Sequence, residues 1–176
     1  MQSTVKFLGE NMKTKFNIFD KHGYLPKGIH KMTLEEVEET FSKNKSLKRQ
    51  EIMAEYKKHL KDLKDTGYYV DHWIDGSFVT SKENPKDIDT LTEFDATKII
   101  ENNDKEKIDN LIKESHLKSN KLCHSFKVYR YPPEDYENYK RYINNKRRIL
   151  IILFGSDKEN IPKGIVHLVG GMQNAI

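Results

Sequence analysis

Asp87 and Asp89 alternate around Ile88, and Asp87 follows the pair Gly76-Ser77 by ten residues counted from the serine. On an extended strand side chains repeat every second residue, so both carboxylates point to one face. Like charges so placed repel and raise each other's pKa unless a cation lies between them. Hard oxygen donors on a rigid strand suit Mg2+ or Mn2+. Mg2+ in particular takes one or two protein carboxylates and fills its other positions with water and phosphate. Gly76 has no Cβ to obstruct an approaching phosphate, and Ser77 adds an N–H and a hydroxyl. Together these groups can hold a metal-loaded nucleoside triphosphate. Ser77 serves equally well as a helix N-cap. Lys82 and Lys86 can reach a triphosphate from the intervening loop, or simply face solvent. Asp75 either orients the turn or joins the acidic cluster.

The elements that must position these residues are readable from pattern. An aromatic and β-branched run over 68–74 predicts a strand leading into the Gly76-Ser77 turn, which opens a short helical or loop segment. A second strand is expected over 87–92, entered after Pro85, and a third over 122–131, stopped by Pro132-Pro133. Upstream, Leu25-Pro26-Lys27-Gly28 reads as a turn leading into a helix. Thr33 and Glu36 form a capping box for a helix to about Phe41. Ile52, Met53, Tyr56, Leu60 and Leu63 recur at helical spacing within 46–65. Two short helices are expected over 95–101 and 104–115. Residues 134–154 read as one long helix capped by Gly155, with a buried strand over 149–154 as the alternative, and 165–169 as a final strand. The phrases Leu25-Pro26-Lys27-Gly28-Ile29 and Ile161-Pro162-Lys163-Gly164-Ile165 echo each other, but two short copies make no repeat architecture.

Composition sets the frame. The chain has 176 residues, 33% charged and 36% hydrophobic, with a net charge of +4. That length supports one domain with a modest core. The mild basic bias is compatible with nucleotide or nucleic-acid binding and equally with a solvated lysine-rich surface. The sole cysteine, Cys123, excludes an intramolecular disulfide and fits a cytoplasmic location. No signal peptide and no membrane span is expected. No zinc-site spacing and no Walker-type loop is present. Residues 1–23 read as a polar N-terminal arm carrying Phe7, Phe16 and Phe19.

At Ile74, Gly76-Ser77 and Asp87-Ile88-Asp89 the chain resembles the polymerase-beta-type nucleotidyltransferase superfamily. It is similar in particular to a small bacterial family of that superfamily in three blocks. These are Leu25-Pro26-Lys27-Gly28-Ile29-His30, the core Ile74-Asp75-Gly76-Ser77-Phe78-Val79 with Pro85, and Pro162-Lys163-Gly164-Ile165-Val166. The resemblance spans about 24–168. It implies an α/β (α+β) protein of minimal nucleotidyltransferase fold, a small mixed sheet flanked by helices, as one domain over 24–176. It implies that Asp87 and Asp89 bind Mg2+ (or Mn2+), that Gly76 and Ser77 bind the nucleotide, with Lys86 in reach, and that a nucleoside monophosphate passes from an NTP to an acceptor hydroxyl on RNA, a nucleotide or a protein. Small members occur in bacterial toxin–antitoxin and phage-defence systems, where a cognate protein partner is implied. Active members carry a third carboxylate on the next strand. Here that strand has no Asp or Glu, and His124 stands in its place, either as a general base or as a half-buried strand residue. The alternative function is therefore a catalytically inactive module that binds a nucleotide or a partner protein. Five tyrosines between Tyr129 and Tyr142, with Lys140, Arg141, Lys146, Arg147 and Arg148, either bind RNA or pack the last helix onto the sheet.

Overall fold

The computed structural model describes residues 18–170. The expected arm thus lies mostly outside the described residues; within them, Phe19 packs against Phe41 with ring centroids 6.2 Å apart. The architecture is α+β, built on one mixed five-stranded sheet of order β1-β5-β2-β3-β4. Its strands are β1 Gly28–Met32, β2 Tyr69–Asp75, β3 Ile88–Asp95, β4 Cys123–Arg130 and β5 Gly164–Leu168. The outer pairs β1–β5 and β3–β4 are parallel, and β2 runs antiparallel to both β5 and β3. The helices are α1 Leu34–Phe41, α2 Leu47–Asp65, α3 Ala96–Glu101, α4 Lys105–Lys118 and α5 Tyr136–Arg148. No helix among the described residues is long and apolar enough to cross a membrane.

The local signals account for most of these elements. Thr33 accepts from the Glu36 N–H and the Glu36 carboxylate accepts from the Thr33 N–H, so the capping box starts α1. The stripe on α2 buries Ile52, Met53, Tyr56 and Leu60 against Ile74, Ile88, Cys123 and Val166 on one face of the sheet. On the opposite face α5 packs Tyr142, and the turn that follows it packs Phe154, over Trp73, Leu91, Val128 and Ile165. A third cluster joins α2, α3 and α4 through Leu63, Phe94, Ile99 and Ile108. Glu93 pins α5 in place: buried completely, it accepts from Trp73 Nε1 at 3.0 Å, from the Tyr142 hydroxyl and from Lys146 Nζ.

Three expectations need correction. Residues 28–32 form strand β1, not a turn running into a helix. It is a half-exposed edge strand with Ile29 on the surface, so its sequence lacks the alternation of a half-buried strand. Its partner is the echoing phrase: Gly28 pairs with Gly164 and Ile29 with Ile165. Gly164 has to lack a side chain, because a Cβ there would stand 2.4 Å from the Pro26 carbonyl oxygen. Second, β3 runs on to Asp95, which then caps α3 by accepting from the Lys98 N–H. Third, Ile149–Phe154 is neither a strand nor regular α-helix; it continues α5 as a π-helical turn.

Candidate functional site

Strand alternation sends Asp75 of β2, Asp89 of β3 and His124 of β4 to the sheet face that α5 covers farther along. Register sets them side by side, since Asp75 pairs with Asp89 and Asp89 with His124. Asp87 lies one residue before β3 and is half-buried. Burial and the neighbouring Asp89 raise its pKa, with His124 and His116 pulling the other way. Asp87 therefore lies outside the strand expected to carry it, and it meets Asp89 only through the field between the two carboxylates. Asp89 Oδ1 lies 3.0 Å from His124 Nδ1.

The glycine-serine bend meets the same carboxylates. Gly76 holds φ +80° and ψ −165°, a conformation that side chains resist. A Cβ built there would stand 2.1 Å from Asp89 Oδ2. The glycine is required because the Asp89 carboxylate fills the space a side chain would occupy. Ser77 opens a 3-10 turn, Ser77–Val79, whose N-cap is Gly76, so Ser77 is the first residue of the turn and not its cap. Its carbonyl accepts from the Thr80 hydroxyl at 2.8 Å. Lys86 is exposed and touches the cluster only through its field on Asp87. Lys82 contributes its backbone carbonyl rather than its ammonium.

That carbonyl belongs to a clamp that sequence reasoning missed. Arg49 on α2 is 3% exposed. Its guanidinium donates to the carbonyls of Phe41 at 2.8 Å, Phe78 at 2.7 Å, Thr80 at 2.6 Å and Lys82 at 2.5 Å. The planar fork thereby ties the Gly76-Ser77 loop to the helix beneath it. A signal existed: Arg49 falls in phase with Ile52, Met53 and Tyr56 on the buried stripe. The second missed feature is an ion pair. Asp75 is 1% exposed, and its Oδ2 accepts from Lys163 Nζ at 2.6 Å. Its Oδ1 has no hydrogen-bond partner. Burial pushes the Asp75 carboxyl up to about 7, against the pull of Lys163. Lys163 is the lysine of the second echoing phrase, immediately before β5.

These groups fit a hard cation. The donors are carboxylate oxygens on Asp87 and Asp89, and Asp75 keeps an unsatisfied oxygen at the end of the neighbouring strand. Among the described residues no three Asp, Glu, His or Cys side chains form a self-sufficient metal cage. Two carboxylates completed by water and phosphate oxygens are the usual donor set of Mg2+. A cleft of about 530 Å³ opens beside Asp87 and His124, walled by Ile112, Lys113, His116 and Ser125.

The fold and this face define an α+β protein with an acidic, histidine-bearing cluster at one end of a mixed sheet, next to a positive-φ glycine turn. The chain belongs to DUF6932, a family of unknown function, which matches residues 17–169. Comparison with curated proteins and with solved structures gives no match.

Proposed function

We propose that the chain is a metal-dependent nucleotidyltransferase of the polymerase-beta type, acting in the cytoplasm on a nucleoside triphosphate and an acceptor hydroxyl. The observation that carries this reading is the contact between Gly76 and Asp89. The bend expected to cradle phosphate and the strand expected to carry the carboxylates are built around each other, down to the atom that excludes a Cβ. Asp87 and Asp89 would hold Mg2+, which when bound neutralises the triphosphate and the departing pyrophosphate. Gly76 and Ser77 offer backbone N–H groups to phosphate oxygens.

His124 supplies the base. With Asp89 Oδ1 as the acceptor, His124 Nδ1 would donate the hydrogen between them, and in the neutral ring Nε2 would hold the lone pair. Nε2 takes the proton of the acceptor hydroxyl as that oxygen bonds to the α-phosphorus. The α–β phosphoanhydride bond breaks, and pyrophosphate leaves with the bonding electrons. Asp75 and Lys163 hold the end of β2 and β5 together beside this centre.

The second reading, a nucleotide- or partner-binding module without turnover, is favoured by one observation: β4 carries no carboxylate facing Asp89. Titration calorimetry with each Mg2+–NTP, followed by label transfer from α-labelled NTP to RNA or to the protein itself, tests both. Asp87→Asn with Asp89→Asn is expected to abolish metal-dependent binding. His124→Gln is expected to keep binding and lose transfer by 10²-fold or more, about the worth of a general base. Unchanged NTP binding in the double Asn variant removes the proposal.

A further inference from the structure

Helix α5 leaves an open flank toward the β4 edge of the sheet. A cleft of about 530 Å³ runs along that flank, walled by Tyr129 and Tyr131 from the strand side and by Asn138, Arg141, Asn145 and Arg148 from the helix. The helix residues recur at i, i+3, i+7 and i+10, which sets them on one face. Residues 138–154 include Lys140, Arg141, Lys146, Arg147 and Arg148 and no acidic residue. Lys146 is held by Glu93, whereas among the described residues no ion pair engages Arg141 or Arg148. Tyr142 is buried and serves the packing of α5. Tyr129 is committed as well: its hydroxyl bonds Asp109, and Lys105 and Lys127 flank its ring. Tyr131 is half-buried, with part of its surface turned to the cleft.

A chain of packed side chains joins the cleft to the acidic cluster. Its lower wall is Ile149, Ile152 and Leu153. The next residue, Phe154, sits edge-on to Phe126 at 5.8 Å, and Phe126 lies 4.7 Å from His124. From Tyr131 back to His124 the strand covers roughly 23 Å at about 3.3 Å per residue.

We infer that this cleft binds single-stranded nucleic acid and leads its terminal hydroxyl to His124. The acceptor role rests on the nucleotidyltransferase reading above; the binding does not. Unpaired arginines hold phosphates, an aromatic face stacks a base, and the amide of Asn145 can donate to and accept from base edges, while the Asn138 amide donates to Asp135. A concave wall suits a threaded strand. An anionic membrane would instead be met by exposed apolar side chains, and Ile151, outside the cleft's lining, is the candidate for that outcome.

The test uses the full chain and fluorescence anisotropy with labelled oligouridylate and oligothymidylate of about 12 nucleotides, within the site sizes of such proteins, over a range of salt. Binding is expected with both backbones; tighter binding of oligouridylate assigns the natural ligand as RNA, and of oligothymidylate as DNA. Arg141→Gln with Arg148→Gln is expected to weaken binding at least tenfold. It should reduce the slope of log Kd against log salt by about 1.4, at roughly 0.7 per phosphate contact in single strands. Tyr131→Ala is expected to weaken binding about tenfold with the slope unchanged, since stacking carries no counterion. Both arginines are exposed, so that pair tests the cleft even if the tyrosine variant unfolds. Failure of the native chain to bind at low salt, or an unchanged affinity and slope in the arginine variant, overturns the inference. So does binding to phosphatidylserine vesicles without binding to either oligonucleotide. A parallel titration of the native chain with Mg2+–ATP separates the two readings. Triphosphate binding without oligonucleotide binding removes the cleft and keeps the triphosphate site; the reverse keeps the cleft and removes the triphosphate site, and the transferase with it.

Discussion

Replacing Gly76 by alanine probes the joint on which the site depends. The new Cβ would stand 2.1 Å from Asp89 Oδ2 and 3.0 Å from its Cγ. The carboxylate must retreat by about 1 Å to restore ordinary contact, and its bond to His124 Nδ1 goes with it. The backbone conformation at φ +80° and ψ −165° adds about 1–3 kcal/mol for any residue with a side chain. Losing the partly exposed Asp89–His124 bond adds about 1 kcal/mol. The expected destabilisation is therefore about 2–4 kcal/mol, a fall in Tm of roughly 5–15 °C for a chain of this size. A reacting group displaced by about 1 Å costs on the order of 10²-fold in rate. The assay is a double-mutant cycle by urea unfolding, with Mg2+–NTP titration on the same four proteins. Asp89→Ala removes the obstructing oxygens but leaves the backbone strain. Gly76→Ala should then be less costly in the Asp89→Ala background by about 1 kcal/mol or more. Strict additivity, or a Gly76→Ala chain as stable as the native one, refutes the claim that glycine is there to make room for the carboxylate.

Other outcomes follow from the same contacts. Arg49→Met strands four backbone carbonyls and should destabilise by at least the cost of one buried unsatisfied acceptor, about 1–3 kcal/mol; Arg49→Lys should recover little, because an ammonium cannot fork across them. Urea midpoints check the first effect, and a weakened Mg2+–NTP affinity checks that the loop has loosened. Acid should destabilise the protein. Burial lowers the pKa of His59 to about 4 and of His72 to about 3, so the unfolded chain takes up their protons first as pH falls from 6.5. Stability is full above 6.5 and is lost as pH drops toward 4. Asp75 works in the opposite sense: with its folded pKa raised to about 7, the folded chain binds the extra proton between about pH 4 and 7 and gains stability as pH falls. Two histidines outweigh one aspartate, so urea midpoints should fall between pH 7 and pH 5. His59→Gln should flatten the profile and Asp75→Asn should steepen it; the reverse order would contradict these burial assignments.

Much of this arrangement could be read in advance because it is local. The Thr33 and Glu36 capping box, the α2 stripe and the closeness of the Gly76 bend to Asp89 each sit within about twenty residues and are local, although Asp87 falls just outside the strand expected to hold it. The missed features are those whose cause lies far away. β1 owes its strand to a partner beyond residue 160. The Asp75–Lys163 pair joins positions 88 apart, and a lysine in a lysine-rich chain looks solvated until its counter-charge is located. Arg49 resembled one more surface cation on a basic helix; only its phase with the apolar stripe hinted at burial. The π-helical turn at Ile149–Phe154 escaped because an apolar run carries no period to distinguish helix types.

The parallel pairing of β1 with β5 has a consequence for synthesis. Lys163 is made 88 residues after Asp75, and it reaches that carboxylate only when β5 has slotted between β1 and β2. On the ribosome, where chains emerge from the N-terminus onward, the acidic cluster is thus present long before its counter-charge. A truncated product would have Asp87 and Asp89 yet lack the cation that steadies their neighbour. Only once β5 is in place does Asp75 gain its partner.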